Sequence, residues 1–304
     1  MPTVQVVKFL HPGAEHNPSR AERTCGRMEW TLDHHARKFM RSNGRCLLNG
    51  KPVERDISFW GEWESPSTFT ELQRGADDSK GLPRYLHKPQ AERYTAEPGL
   101  KQNTDPYVFG NRFYYSCCQQ HPNNVLVRLV PESLILFGSC LDGHFVLDTV
   151  FVVKKRLTCW KNHHCVPEEE INGTAREAIL KPCCGPEDIE LEKSLYSLYA
   201  GVMHSENKNT YFSYFPCKPV TKQGEVQRFQ RPIISFEQGE LARFNANGIC
   251  WRDNAPRGVA YEEVDLAVAQ DLWQAIKGVI TNPTTLDLSL GVYAKEPALP
   301  DSAH

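Results

Sequence analysis

Ser133-Leu134-Ile135-Leu136-Phe137-Gly138-Ser139, then Asp142-Gly143, then Phe145-Val146-Leu147-Asp148-Thr149-Val150-Phe151-Val152-Val153 is the stretch on which the fold turns. Two β-prone apolar runs flank an Asp-Gly pair. A tight hairpin turn needs positive φ at both central residues, which Gly adopts freely and Asp tolerates. Both runs are too continuously apolar to leave one face in water, so their hairpin belongs in the core. Just upstream, Asn103-Thr104-Asp105-Pro106-Tyr107-Val108-Phe109-Gly110 reads as a turn leading into aromatics. Arg112-Phe113-Tyr114-Tyr115-Ser116-Cys117-Cys118 then reads as a short strand.

Working outward to the N-terminal side, Val4 to Leu10 forms a first strand, ended by His11-Pro12-Gly13. A polar loop runs from Ala14 to Arg27, and His11, Glu15 and His16 at its start are placed to gather around a metal or a phosphate. Thr31 to Ser42 reads as a helix: Leu32, Ala36, Phe39 and Met40 share a stripe, Asp33 suits the positive end, and Asn43-Gly44 is a stop. Its other face, with His34, His35, Arg37, Lys38 and Arg41, is either a solvated ridge or one facing phosphate. Asp56 to Ser67 reads as a strand with Ser58, Trp60, Glu62 and Glu64 on one face and Phe59, Gly61 and Trp63 on the other. Thr68 to Leu100 has weak periodicity and reads as a long surface loop with a short helix.

On the C-terminal side, Asp188 to Ala200 reads as a helix, and Tyr211 to Cys217 as an aromatic strand stopped by proline. Arg231 to Phe236 is a further strand. Val264, Val268, Leu272, Ile276 and Ile280, with Trp273 beside them, mark an amphipathic helix. The tail beyond Ala294 reads as loose. The fold class expected is α+β: a small, mostly antiparallel, barrel-like β core with peripheral helices. It divides into a β-rich core over 1–158, a Cys/His-containing insertion over 159–189, and an α+β segment over 190–304 packed on the same core.

The 304 residues are 40% hydrophobic and 24% charged, which indicates a globular chain rather than a disordered one. A formal charge of −2 argues against a protein that grips long phosphate backbones, so a nucleic-acid role must rest on a local patch or a single-nucleotide pocket. The N-terminus has neither a basic leader region nor a long apolar core, and no apolar run reaches membrane-spanning length. The expectation is a cytoplasmic protein without a membrane partner. Eleven cysteines, an odd number with the vicinal pairs Cys117-Cys118 and Cys183-Cys184, then read as mostly reduced thiols.

No GxxxxGK[ST], GxGxxG, GxSxG or HExxH motif is present, which removes the signatures of P-loop ATPases, Rossmann domains, α/β hydrolases and zincins. Cys159, His163, Cys165 and Cys183 (or Cys184) are an available tetrahedral set, although their spacing fits no standard zinc knuckle. Zinc is therefore a possible ligand, and no other cofactor is implied.

The run Pro131 to Ser139 followed by Phe145 to Val153 resembles the recurrent core of PUA-like barrels, the superfamily of the EVE, ASCH and YTH domains. The first strand, the hairpin and Tyr211–Pro216 are also similar to nucleotide-modification-associated domains. The resemblance covers about a third of the chain and implies a barrel pocket for a flipped or modified base.

The function expected is thus a module binding nucleic acid or a nucleotide, with Trp60, Glu62, Trp63, Glu64, Asp105, Tyr107, Phe109 and Arg112 as ligand-binding residues. Aromatic faces hold bases by stacking, and carboxylates read their amino groups. Two alternatives stand beside it. One is an enzyme acting on a nucleotide or modified base through Glu62, Glu64 or Asp105, with His11 or His16 as partner and Asp148 as a further acid. The other is a zinc-stabilised structural or regulatory protein.

Overall fold

The structure, a computed structural model, describes residues 2–301 apart from 12–13, 31–36, 74, 78–79, 95–103, 122–123, 158–170, 185–196, 208–209, 221–227 and 254–257. For 183–184 it describes the backbone alone. Asp142 and Gly143 have φ of 47° and 81° and turn the expected hairpin. It pairs β8 (Leu134–Leu141) with β9 (His144–Leu157), from Leu141 opposite His144 to Leu134 opposite Val152. The described residues form thirteen strands, β1 to β13 in chain order. β1 (Thr3–Leu10) lies parallel to β8 and antiparallel to β12 (Gly258–Asp265). On the far side β9 pairs with β10 (Leu198–Gly201), and β10 with β7 (Tyr114–Tyr115).

A second sheet is built on the long hairpin of β3 (Arg37–Leu48) and β4 (Lys51–Glu62), turned by Asn49-Gly50 with φ of 51° and 75°. β6 (Tyr85–Pro89), β5 (Ser67–Leu72) and β2 (Arg27–Met28) extend it beyond β3. β11 (Phe215–Pro219) and β13 (Ser289–Ala294) extend it beyond β4. β13 also bonds the far end of β3, so this sheet curls back on itself at one end. The architecture is mixed α/β and mostly strand, in two sheets of six and seven strands rather than a closed barrel, with helices at the periphery. A barrel would need the six-stranded sheet to join its own ends, and it runs open from β12 to β7.

Several expectations are corrected. Arg37–Ser42, expected in a helix, belongs to β3, whose Phe39 and Met40 are buried in separate apolar clusters. A strand covered on both faces reads as continuously apolar and mimics a helical stripe over so short a span. Gly44 is no helix stop: a Cβ there would lie 2.3 Å from the Tyr293 carbonyl oxygen, so glycine lets β13 cross. Of Asp188–Ala200, also expected as helix, residues 188–196 lie outside the described residues and Leu198–Ala200 belong instead to β10, with Tyr199 stacked on Tyr115 at 5.9 Å. Within the expected loop from Thr68 to Leu100, β5 and β6 are strands. Arg231–Phe236 meets β9 through the single bridge of Ile233 with Val146.

The amphipathic helix is α1 (Leu266–Thr281), burying Leu272, Trp273, Ile276 and Ile280, while Val264, the residue before the last of β12, stands opposite Val4. No helix among the described residues is long and apolar enough to cross a membrane. The tail is tied down: Lys295 N–H donates to the Asn43 carbonyl, and the Tyr107 hydroxyl to Glu296. Strand alternation splits the tryptophans of β4 and its extension. Trp60 joins the cluster holding Phe39, Phe145 and Trp273; Trp63 joins the one holding Phe59, Tyr107 and Phe109.

Candidate functional site

β1, β3 and β4 converge where the two sheets meet. His11, just past the end of β1, has its N–H bonded to the Gly138 carbonyl and its ring stacked on Phe9. Arg37, the first residue of β3, is the cross-strand partner of Glu62, the last of β4, so opposite charges face each other at the sheet end. Arg37 bonds the Glu62 carboxylate and brings its Nε within 2.9 Å of Asp148 Oδ2 on β9. Asp148 in turn accepts from the Ser139 hydroxyl at 3.0 Å, and Ser139 from the Trp60 indole at 3.3 Å. Burial pushes the Asp148 carboxyl up to about 6, against the opposing pull of Arg37, Ser139 and Arg231.

Asp105 shapes the other side. Its carboxylate accepts from the backbone N–H groups of Ser116, Cys117 and Cys118, each at 2.9 Å, and from the Ser116 hydroxyl. Three successive amides on one carboxylate hold the turn after β7 in a single shape. The Tyr115 hydroxyl donates to the Cys118 carbonyl at 2.6 Å, which pins the same turn. Glu62 Oε1 accepts from the Asp105 N–H at 3.4 Å. The turn is thereby tied to the end of β4.

These supports place Cys118 Sγ 3.4 Å from His11 Nε2, while His11 Nδ1 lies 2.9 Å from Glu62 Oε2. A carboxylate paired with a guanidinium only accepts, so Nδ1 must carry the proton. Nε2 then presents a lone pair to the thiol. Arg37 Nη2 sits 3.4 Å from Nδ1, a close approach rather than a bond, because that nitrogen has no lone pair left. His11, Glu62 and Cys118 are 2%, 4% and 9% exposed. A thiol, an imidazole accepting from it and a carboxylate orienting the imidazole are the parts of a nucleophile–base–orienter relay.

The ligand atoms of His11, Glu62 and Cys118 lie within 4.8 Å of one another and are a possible metal-binding triad. In the arrangement described, the sulfur and the carboxylate address opposite nitrogens of one imidazole. A single ion takes only one of those nitrogens, so the geometry suits proton transfer better. Of the zinc set expected from sequence, Cys159, His163 and Cys165 lie outside the described residues, as does the Cys183 side chain. Cys117 is disulfide-bonded, whereas Cys25, Cys46, Cys118, Cys140, Cys217 and Cys250 are free thiols.

Of the residues expected at a ligand site, Glu62 and Asp105 meet here, joined by His11 and Asp148. The aromatics do not share one pocket. Trp60 carries the Arg231 guanidinium 4.7 Å from its ring centre, and Trp63 packs on Tyr107 and Phe109 at 6.3 and 4.7 Å in the other cluster. Glu64 lies buried near Lys38, on the opposite side of β3 from Arg37. Arg112 is half-buried and lies near Glu206. The grouping of His11, Glu15 and His16 divides: Glu15 accepts from the Tyr85 N–H, and His16 turns to His87. A cleft of about 650 Å³ between Arg41, Asp56, Lys88 and Lys295 is lined by none of the expected ligand residues.

Sequence reasoning missed Cys118 and the role of Arg37. The vicinal cysteines were a signal, but nothing local joins residue 118 to residue 11. No protein-family model matches the chain, and neither a curated protein nor a solved structure is similar to it.

Proposed function

We propose that this chain is a thiol-dependent enzyme acting on a nucleotide or modified base, with Cys118 as nucleophile, His11 as its base and Glu62 as the group that orients His11. The observation that carries the reading is the alignment of Cys118 Sγ, 3.4 Å from Nε2, and Glu62 Oε2, 2.9 Å from Nδ1, on the two edges of one imidazole. In the step proposed, the thiol proton passes to Nε2, and sulfur forms a bond to an electrophilic carbon of the substrate. The same proton is returned to the leaving group, and Glu62 and Arg37 balance the imidazolium between the two transfers. The nucleotide class follows from the resemblance to base-binding domains. The alternative of a stacking pocket has less support, since a base needs an open ring face and those of Trp60, Trp63 and Tyr107 are packed against protein groups.

The test is site-resolved alkylation by iodoacetamide, a reagent small enough to reach a nearly buried thiol. At about pH 6.5 Cys118 is expected to react roughly tenfold faster than the exposed Cys25 and Cys250, because the adjacent His11 Nε2 can take the thiol proton as sulfur attacks. His11→Gln removes that advantage, and Glu62→Gln lowers it. A Cys118 that reacts no faster than Cys25 at any pH overturns the reading.

A further inference from the structure

Lys38 follows Arg37 in β3 and therefore points to the opposite face of the sheet. It is fully buried, and its ammonium donates to the Ser65 carbonyl at 3.0 Å. On that face it has Met40 and, across β6, His87, whose ring lies 6.2 Å from that of half-buried His16. Opposite Lys38 in β4 stands Gly61, over which the Met40 methyl lies, 3.4 Å from where a Cβ would be. Ser67 on β5 lies on the same face, two pairs along from His87.

Both nitrogens of His87, Nε2 of His16 and the hydroxyls of Ser65 and Ser67 are buried and have no hydrogen-bond partner among the described residues. Five unpartnered polar atoms on neighbouring residues of one sheet face, two of whose imidazoles feel the charge of Lys38, are far from the usual pattern, in which buried polar groups are bonded. The set is rich in donors: an ammonium, two hydroxyls, and one N–H from each neutral imidazole. Donors in excess call for a ligand that mostly accepts. The acids facing the cluster are Glu64 and Glu22, both of which draw the Lys38 amine toward protonation.

We infer that Lys38, His16, His87, Ser65 and Ser67 form a binding site for a phosphate group, entered past His16. A metal ion suits the site less well, because Lys38 would repel it and a cation leaves the hydroxyl and N–H donors unused. The inference stands on residues other than the thiol centre and survives its failure. Burial pushes the Lys38 amine down to about 7, so an arriving anion draws a proton onto it. Phosphate binding is therefore accompanied by proton uptake.

Inorganic phosphate titrated into the full chain by calorimetry, at constant ionic strength in two buffers of different ionisation enthalpy, tests this. The expected result is saturable binding with proton uptake at about pH 7.5, lost by at least tenfold in Lys38→Met and kept in Cys118→Ser. Should Lys38→Met not fold, Ser67→Ala and His16→Gln are expected to bind phosphate several-fold more weakly. Wild-type protein that shows no saturable phosphate binding overturns the inference. So does phosphate binding that the Lys38, Ser67 and His16 variants leave unchanged, or zinc binding that requires His87 while phosphate does not bind.

Discussion

Arg37 and Lys38 are neighbours in one strand, yet the two faces they serve are built on different terms. On the Arg37 face each charge meets its opposite: Glu62 and Asp148 share the guanidinium, and Asp105 is filled by backbone amides. On the Lys38 face two imidazoles and two hydroxyls are buried with atoms unpartnered. Both faces are dry, and a dry polar group without a partner is destabilising by about 1–3 kcal/mol. The first face balances its charges and holds His11 and Cys118 in register, although Arg37 Nε and Asp148 Oδ2 meet at 2.9 Å as an ion pair without hydrogen-bond geometry. The second reaches its full set of bonds only when something else enters. Preorganised chemistry and an unfilled recognition site thus occupy opposite sides of one strand.

The largest test removes each cation. Arg37→Met leaves two buried carboxylates without their counter-charge and is expected to lower unfolding free energy by about 3–5 kcal/mol in urea. Lys38→Met should cost less than half as much, since its amine is already drawn toward neutrality near pH 7. Equal losses would erase the distinction between the faces.

The pH dependence comes next, and its sign differs between them. Burial, with Lys38 and His16 adding to it, lowers the His87 imidazole to about 3, below its unfolded value of 6.5. The unfolded chain then binds a proton that the folded one refuses, so this contribution is complete above pH 6.5 and is lost as pH falls toward 3. Between pH 6.5 and 5 the loss is about 1–2 kcal/mol, and His87→Leu should abolish it. Asp148 acts oppositely. Its raised carboxyl makes the folded state bind the proton more tightly between about 3.8 and 6, so stability on this account rises as pH falls through that window. Asp148→Asn should remove this gain in denaturant titrations at pH 7 and 5; an unchanged difference would place Asp148 outside the buried charge network.

The smallest effect compares two serines in phosphate-free buffer. Ser139 bonds both Asp148 and Trp60, and Ser139→Ala is expected to destabilise by about 1–2 kcal/mol. The Ser67 hydroxyl has no partner among the described residues, so Ser67→Ala should change stability by no more than about 0.5 kcal/mol, or raise it. Thermal unfolding of both variants reads the contrast. A Ser67 loss as large as that of Ser139 would show that its hydroxyl is already satisfied.

Local chemistry carried much of the fold. The Asp142-Gly143 turn, the strand before His11, the alternation along β4 and the helix at Leu272–Ile280 were legible because each depends on neighbours in the chain. Asn49-Gly50, an equally strong turn signal, was eclipsed by the helical spacing read through Phe39 and Met40. The error followed from a strand buried on both faces, whose apolar run has no period of two. The candidate site was legible in part. Glu62, Asp105, Asp148 and His11 were singled out as acids and a partner, but nothing in their spacing said that one arginine would gather two of the acids.

The sequence by itself determined which side chains alternate, where the chain can turn, and that Trp60 and Trp63 must part company across β4. Only the tertiary structure decided that Cys118 meets His11, 107 residues away in the chain. That meeting depends on β1 lying parallel to β8, on β4 pairing with β3, and on Asp105 holding the turn after β7. Propensity and periodicity act over a few residues, whereas contacts between distant segments are chosen by burial of the whole core. The site is a property of that choice.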